Sequence, residues 1–148
     1  MVDIHKATQS DLNKIVFTFE STRRDMSYIP KLHTHKENIE YFKSRVEKSS
    51  IYIAMSDKKF AGFIDLTPQW INHLYVDKNF QNKGVGKQLI TFAKSQSTDK
   101  LYLWVFEENQ KAIRFYEREN FTLVEKRDID KADNEEGLPD RKYVWMHS

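Results

Sequence analysis

The segment 70–106 constrains the fold most, because it combines a strand, a glycine-containing turn, a helix and a second strand. "WINHLYV" (70–76) is rich in β-branched and aromatic residues, and "LYLWVF" (101–106) is a continuous apolar run. Between them apolar residues recur at helical spacing, namely Leu89, Ile90, Phe92 and Ala93. A strand–helix–strand unit of this kind joins two parallel strands through a right-handed crossover. The chain is therefore predicted to contain a parallel strand pair covered by a helix.

The remaining predicted elements give one mixed α/β domain over residues 1–148, with the order β-α-α-β-β-β-α-β-α-β-β. Ser10 is predicted to be the N-cap of the first helix. Thr34 and Glu37 form a predicted capping box that opens the second helix. The inner face of that helix is predicted to carry Ile39, Phe42 and Val46. Further strands are predicted at 2–8, 51–55, 60–66, 121–128 and 141–147, and a further helix at 110–119.

Composition excludes several classes of protein. The net charge of +2 is too small to indicate a nucleic-acid or membrane partner. The absence of cysteine excludes disulfides, thiolate metal sites and a cysteine nucleophile. No histidine pair stands with carboxylates at ligand spacing, so no metal is predicted. No apolar run is long enough to span a bilayer and the N-terminus is polar, which predicts a cytoplasmic protein.

The stretch "QNKGVGKQL" (81–89) holds two of the four glycines of the chain. A turn that opens a helix presents unpaired amides and favours an anion, and two lysines add positive charge there. The stretch lacks the Walker pattern, and Leu89 stands where a dinucleotide site has its third glycine. From these residues alone, an anion site and a simple turn both stay open.

Two longer segments carry a resemblance to a known family. "LYVDKNFQNKGVGKQLITFAK" (74–94) resembles the acyl-CoA-binding motif of the GCN5-related N-acetyltransferases (GNAT), and "NQKAIRFYERENF" (109–121) resembles the motif that follows it. Asn120 stands where the family usually has glycine, a mild change because asparagine tolerates a left-handed conformation. The C-terminal pattern NEE-x-x-P-D-x-x-Y-V-W resembles one bacterial subgroup. The resemblance implies a mostly antiparallel sheet with a splayed parallel pair and about four flanking helices.

The resemblance also implies a site for acetyl-CoA. Tyr116 would point its hydroxyl at the thioester sulfur as general acid, and Asn109 would hydrogen-bond the pantetheine. The strand backbone of Leu74, Tyr75 and Val76 would pair with the pantetheine arm. A backbone amide near Leu74 or Val76 would stabilise the oxyanion. The pyrophosphate would be held by the amides of Gln81, Asn82, Lys83, Gly84, Val85, Gly86 and Lys87.

The acceptor side is less defined, because Trp70 occupies the position of the usual family glutamate. Strict alternation along the strand places Asn72 with Trp70 on one face and His73 on the other, where His73 is interpreted as packing under a helix. In the family fold the acidic loop 128–140 borders the acceptor entrance. Glu135, Glu136 and Asp140 are predicted to attract a cationic amine or to act as base through water, with Glu135 as the catalytic candidate. Predicted acceptor-binding residues are His33, Trp70, Asn72, Glu136 and Asp140; His33 and His35 are equally interpretable as surface residues.

The leading functional prediction is an acetyl-CoA-dependent N-acetyltransferase that transfers directly to a primary amine of a small molecule or peptide. The alternative is a non-catalytic acyl-CoA-binding or sensing protein on the same fold. Nucleic-acid binding is disfavoured by the charge balance and the acidic loop. A homodimer through an exposed C-terminal strand edge is considered. Polyamine, amino-acid, antibiotic and protein-terminal amines are not distinguished, because a fold does not fix its substrate.

Overall fold

A computed structural model describes residues 2–48, 50–128 and 134–147. In these ranges a seven-stranded sheet of order β1-β2-β3-β4-β5-β7-β6 is flanked by four α-helices, which confirms the predicted element order. The strands are β1 (Val2–Lys6), β2 (Ile51–Ser56), β3 (Lys59–Thr67), β4 (Trp70–Val76), β5 (Lys100–Phe106), β6 (Thr122–Arg127) and β7 (Asp140–Met146). The helices are α1 (Leu12–Arg24), α2 (His35–Glu47), α3 (Val85–Gln96) and α4 (Gln110–Arg118). Of these helices, none has the length and apolarity needed to cross a bilayer.

The sheet separates two hydrophobic clusters. Helices α1 and α2 cover β2, β3 and β4 with a cluster that includes Ile15, Phe42 and Phe63. Helices α3 and α4 cover the opposite face, where Leu89 and Ile113 pack against β5. Phe42 and Val46 are buried and Ile39 packs against them, as the sequence predicts. The strand ladders are antiparallel except for β4 and β5, which pair in parallel as the crossover predicts.

The helix starts follow their capping residues. Helix α2 has the predicted box, in which the Glu37 amide donates to Thr34 Oγ1 at 3.1 Å and the Thr34 amide donates to Glu37 Oε1 at 2.8 Å. The prediction of Ser10 as the N-cap of α1 is wrong. Ser10 lies inside a 3₁₀ turn (Gln9–Asp11), and α1 begins at Leu12 after it. The Asp11 carboxylate accepts from the Thr8 amide at 2.9 Å, so the local capping bond forms one turn earlier.

The alternation predicted along β4 is wrong at Asn72. Ile71 pairs with Leu66 and His73 pairs with Asp65, which leaves Asn72 as an extra residue in a β-bulge. Ile71 therefore packs in the cluster under α3 and α4, whereas His73 contacts Phe42 on the α1–α2 side. A bulge reverses the side-chain parity beyond it, and the sequence carries no signal for where it occurs.

Strand β5 is buried on one face rather than two. Leu101, Leu103 and Val105 pack into the cluster under α3 and α4. Tyr102 and Trp104 alternate with them and are half-buried on the opposite side. A continuous apolar run favours a strand covered on both faces, but the run 101–106 is covered on one face only. The side of β5, β7 and β6 that carries Tyr102 and Trp104 is called the open face below.

Candidate active site

A gap between β4 and β5 forms the centre of the candidate site. The two parallel strands are joined at Trp70 and Tyr102, next to a hydrogen bond of 2.8 Å from the Tyr102 amide to the Gln69 carbonyl. Beyond this pair the strands diverge, as the resemblance implies. A cavity of about 1310 Å³ occupies the β4–β5 gap and reaches from the start of α3 to the 134–140 loop.

The backbone of β4 leaves hydrogen-bonding groups in the β4–β5 gap. The Asp77 amide bonds the Ala61 carbonyl of β3 at 2.8 Å. In the same register Tyr75 and His73 also bond β3, so the even-numbered Leu74 and Val76 direct their backbone groups away from β3. Gln81 Nε2 donates to the Val76 carbonyl at 3.1 Å. The amides of Leu74 and Val76 therefore face the gap where β5 has moved away.

The turn before α3 presents a second set of amides at the same cavity. Asn82 and Gly84 have positive φ angles of 63° and 83°, and Gly84 caps the helix. The first helical amides have no acceptor within the helix, so they can bind an anion. Gly86 lines the cavity, and a Cβ there would meet only side-chain atoms, the ring of Phe115 at 3.4 Å and Val76 Cγ2 at 3.9 Å. Val85 buries its side chain in the core and offers only its amide.

The side-chain placement at the donor end fits coenzyme A. Gln81, Asn82 and Lys87 line the cavity, while Lys83 lies over the Phe80 ring at 5.8 Å. Asn109 caps α4 through its side-chain oxygen, which accepts from the Ala112 amide at 3.2 Å. Its side-chain NH₂ is thereby left as the group that can donate to a ligand.

Tyr116 lies in the wall of the cavity and is 9% exposed. No hydrogen bond joins its hydroxyl to any residue in the described ranges. Burial raises the pKa of this phenol, and electrostatic interaction with Tyr75 raises it further. The hydroxyl is therefore protonated near neutral pH and available as a proton donor.

The acceptor end is lined by α1 and the 134–140 loop. Arg23 Nη2 donates to Glu136 Oε2 at 2.8 Å, and both side chains border the cavity. Burial raises the pKa of the nearby Tyr75 phenol, whereas Arg23 opposes that rise. Glu135 is exposed, and both its oxygens lie 3.0 Å from His33 Nε2. His33 thus reaches the site through Glu135.

Asp140 borders the cavity, but its carboxylate is occupied by hydrogen bonds that hold the loop. Its carboxylate accepts two hydrogen bonds from Arg127, at 2.8 and 2.7 Å, and a third from Asn134 Nδ2 at 3.0 Å. The residue is buried. These bonds argue against the predicted role in binding an amine. Residues 129–133 of the predicted acidic loop lie outside the described residues.

The side chains of Trp70, Asn72 and His73 on β4 lie in three different surroundings. Trp70 packs against Tyr102 with ring centroids 5.2 Å apart and does not line the cavity. Asn72 lines the cavity, and its Nδ2 donates to Thr67 Oγ1 at 3.0 Å. His73 Nε2 lies 2.8 Å from the Tyr41 hydroxyl under α2. Burial lowers the pKa of His73 to about 4, so this histidine is neutral.

Arg23, Trp104 and the side chain of Tyr75 also line the cavity and were not predicted. In the sequence, Arg23 ends an amphipathic helix, where basic residues are common, and Trp104 belongs to an apolar run. Only the positions of these side chains in the folded chain identify them as cavity residues. In the part of the chain that the structure describes, no group of three His, Asp or Glu side chains is placed to hold a metal.

Solved structures of the same architecture include enzymes of acetyl transfer. YjaB from Escherichia coli, in its apo form, superposes with a TM-score of 0.79 and 19% identity over 100% of this chain and 99% of that one. PaiA N-acetyltransferase from Thermoplasma acidophilum, in complex with coenzyme A, gives 0.76 and 18% over 99% of each chain. At these identities the likeness shows the fold.

Sequence relatives point the same way. A probable spermine N(1)-acetyltransferase of Bacillus subtilis subsp. natto is 35% identical over 57 residues, which are 35% of this chain and 38% of the relative. The peptidyl-lysine N-acetyltransferase YjaB of E. coli is 26% identical over 89 residues, 60% of each chain. The match thus spans under two fifths of the spermine enzyme. The family model for the acetyltransferase (GNAT) family matches residues 15–121. The chain therefore belongs to the acetyltransferase (GNAT) family.

Proposed function

We propose that this protein is an acetyl-CoA-dependent N-acetyltransferase that acetylates a primary amine of a small molecule or peptide by direct transfer in a ternary complex. The observation that carries the proposal is the β4–β5 gap. It places free strand amides, the start of α3 and the unbonded Tyr116 hydroxyl around one cavity.

The donor end supplies binding and polarisation. The amides at the start of α3 and the lysines Lys83 and Lys87 suit the pyrophosphate, and the strand amides suit the pantetheine. The amide of Leu74 or Val76 would also donate to the oxyanion that develops from the thioester carbonyl. These amides are held in place by the β3–β4 ladder, so little reorganisation is needed when charge develops.

The proton balance requires one donor and one acceptor. The amine nitrogen forms a bond to the acetyl carbon as the carbon–sulfur bond breaks. Tyr116 gives its proton to the departing thiolate. The amine gives up a proton, which we assign to Glu135 acting through water, because the Glu136 carboxylate is already paired with Arg23. Glu135 places negative charge at the entrance for a cationic amine, whereas Arg23 balances the charge of Glu136.

The alternative, a non-catalytic acyl-CoA-binding protein, is favoured by one observation. Trp70 stands at the position of the usual glutamate and packs on Tyr102 rather than in the cavity. The bacterial subgroup, the cytoplasmic location and the homodimer also stay predictions.

A thiol-release assay distinguishes the two functions. The chain has no cysteine, so a chromogenic thiol reagent reports only coenzyme A and gives no background from the protein. We expect acetyl-CoA to bind in calorimetry and thiol release to require an amine from a diverse panel. Glu135→Gln is expected to lower the acceptor kcat/KM about tenfold with unchanged acetyl-CoA affinity. Binding without turnover on any amine would establish the sensing alternative.

A further inference from the structure

The open face carries a row of aromatic side chains that begins at the cavity. Trp104 and Arg127 both border the cavity, and the Arg127 guanidinium lies 3.7 Å above the Trp104 ring. Tyr102 follows two residues away on β5, about 6.6 Å along the strand. The ring centroids of Trp70 and Tyr102 are 5.2 Å apart. Trp104, Tyr102 and Trp70 are called the aromatic strip below.

Lys142 sits over this strip. Its Nζ is 4.5 Å from the centroid of Tyr102, 5.4 Å from that of Trp70 and 5.9 Å from that of Trp104. Cation–π attraction to three half-buried rings restricts where the ammonium can go. The ammonium is thus held above the rings of the aromatic strip, next to Arg127 on Trp104 and Lys100 on Tyr102.

The charge of Lys142 is not neutralised locally. No carboxylate in the described ranges lies within ion-pair distance of its Nζ. Glu125 is its cross-strand neighbour on β6 but forms no ion pair with it. Lys100 adds a second positive charge over Tyr102 at 5.6 Å. Of the carboxylates at the cavity mouth, Glu136 and Asp140 are paired with arginines, and Glu135 lies beside His33.

Helices α1 and α2 leave the strip uncovered. Their cluster with the sheet consists of residues from β2, β3 and β4. The strip is continuous with the cavity at Trp104, and it has the length of a few residues of extended peptide. A segment attached to an amine in the cavity can therefore extend along the strip.

We propose that the aromatic strip and Lys142 form a subsite for a carboxylate-bearing segment of the acceptor, so that the acceptor is an acidic peptide. The inference rests on the proposed function. The amine enters past Glu135, and a carboxylate two to four residues away accepts a charge-assisted hydrogen bond from Lys142. Apolar parts of the segment pack on the rings. Lys100 and Lys142 repel a polycation on the same track.

The test uses three short peptides that share one free amine and differ only at the next three residues, which are glutamate, glutamine or lysine. We expect the kcat/KM of the glutamate peptide to exceed that of the glutamine peptide about tenfold, the value of one hydrogen bond to a charged group. Lys142→Gln is expected to abolish this preference and Lys142→Arg to keep it. Lys48→Gln, at the end of α2, is the matched control and should change nothing.

A binding measurement separates this inference from the proposed function. The glutamate peptide with its amine acetylated cannot react, and we expect it to change the tryptophan fluorescence saturably, about tenfold more weakly in Lys142→Gln. Turnover of simple amines with equal kcat/KM for all three peptides would contradict the proposed subsite but would still support the N-acetyltransferase activity. A preference for the lysine peptide, or a solution dimer that buries the aromatic strip, would overturn the subsite as well.

Discussion

At the scale of single residues, the site depends on side chains whose neighbours decide their role. The two phenols of the cavity illustrate this. The Arg23 guanidinium lies near Tyr75, whereas the Tyr116 hydroxyl has no hydrogen-bond partner among the described residues. The resemblance of 109–121 to the family motif implies a role for Tyr116, whereas helical spacing alone indicates a core tyrosine. Nothing in the sequence predicts Arg23, since its partner Glu136 lies 113 positions away.

Replacing Tyr116 by phenylalanine removes the proposed proton donor with little change in volume. We expect kcat to fall about a hundredfold and the acetyl-CoA dissociation constant to stay within about twofold, because the strand amides and the α3 start remain. Stopped-flow or steady-state thiol release measures the first and calorimetry the second. Tyr52→Phe, which packs on Phe92 away from the cavity, is the control. Unchanged kcat in Tyr116→Phe would rule out the acid role.

His73 predicts a pH dependence of stability. Its folded pKa of about 4 lies below the ordinary 6.5, so the unfolded chain binds more protons between these values and stability falls as pH falls. Between pH 6.5 and 5 we expect a loss of about 2 kcal/mol in the free energy of unfolding. Charged or titratable neighbours that face His73 are Tyr41 and Arg45 on α2, Asp65 on β3, Arg23 on α1 and Tyr75 on β4.

Urea unfolding at pH 7 and pH 5 checks this prediction. His73→Gln has no proton to gain, so its stability should change less over the same interval. Asp65 holds a bidentate ion pair with Arg45 at 2.7 and 2.9 Å, and the His73→Gln substitution leaves both of these side chains in place. An equal pH dependence of the two proteins would mean that other groups dominate.

At the scale of elements, two glycines serve different purposes, since Gly62 lies inside the sheet and Gly86 lies at the cavity. A Cβ on Gly62 in β3 would lie 2.6 Å from the Tyr75 carbonyl oxygen and 3.1 Å from Val76 Cα, both backbone atoms of β4. A Cβ on Gly86 would meet a side-chain ring at an ordinary distance. The first glycine is required by the sheet, whereas the second lies at the cavity where we propose that coenzyme A binds.

We therefore expect Gly62→Ala to lower the free energy of unfolding by about 1–3 kcal/mol, because β4 must shift. Gly86→Ala is expected to leave stability nearly unchanged and to weaken acetyl-CoA binding, since the new methyl stands beside the amides that bind it. Chemical unfolding and calorimetry on both variants measure the two effects. A Gly86→Ala protein with unaltered affinity would contradict the placement of the pyrophosphate.

The elements also show where sequence reasoning succeeds and fails. The parallel pair, the capping box of α2 and the left-handed Asn120, with a φ of 71°, are predicted correctly because each depends on local chemistry. The bulge at Asn72 is missed because it depends on how β3 and β4 pair. The open face of β5 is missed because aromatic residues are equally suited to a core and to an exposed row that binds cations.

At the scale of the whole molecule, the proposed ligand binds across the sheet. The donor end collects groups from β4, α3 and α4, which belong to different parts of the chain. Binding to the folded state alone raises stability by about 2.7 kcal/mol at a ligand concentration of one hundred times the dissociation constant. Saturating acetyl-CoA should thus raise the Tm by about 5–10 °C. Differential scanning fluorimetry measures it, with Gly86→Ala expected to need more ligand for the same shift.

The sparse junction between β4 and β5 has a mechanical consequence. In the described chain, one backbone pair at Trp70 and Tyr102 links the β1–β4 ladder to the β5–β7–β6 ladder. Elsewhere the two halves are held by side chains, which include those of α3 and α4, the Arg23–Glu136 ion pair and the Gln69–Asp99 hydrogen bond. A force that pulls the two ladders apart is resisted by few backbone hydrogen bonds. We therefore expect the protein to unfold first between β4 and β5. If coenzyme A binds in the β4–β5 gap as proposed, its pantetheine would bridge the two ladders, and the liganded protein should withstand a larger force.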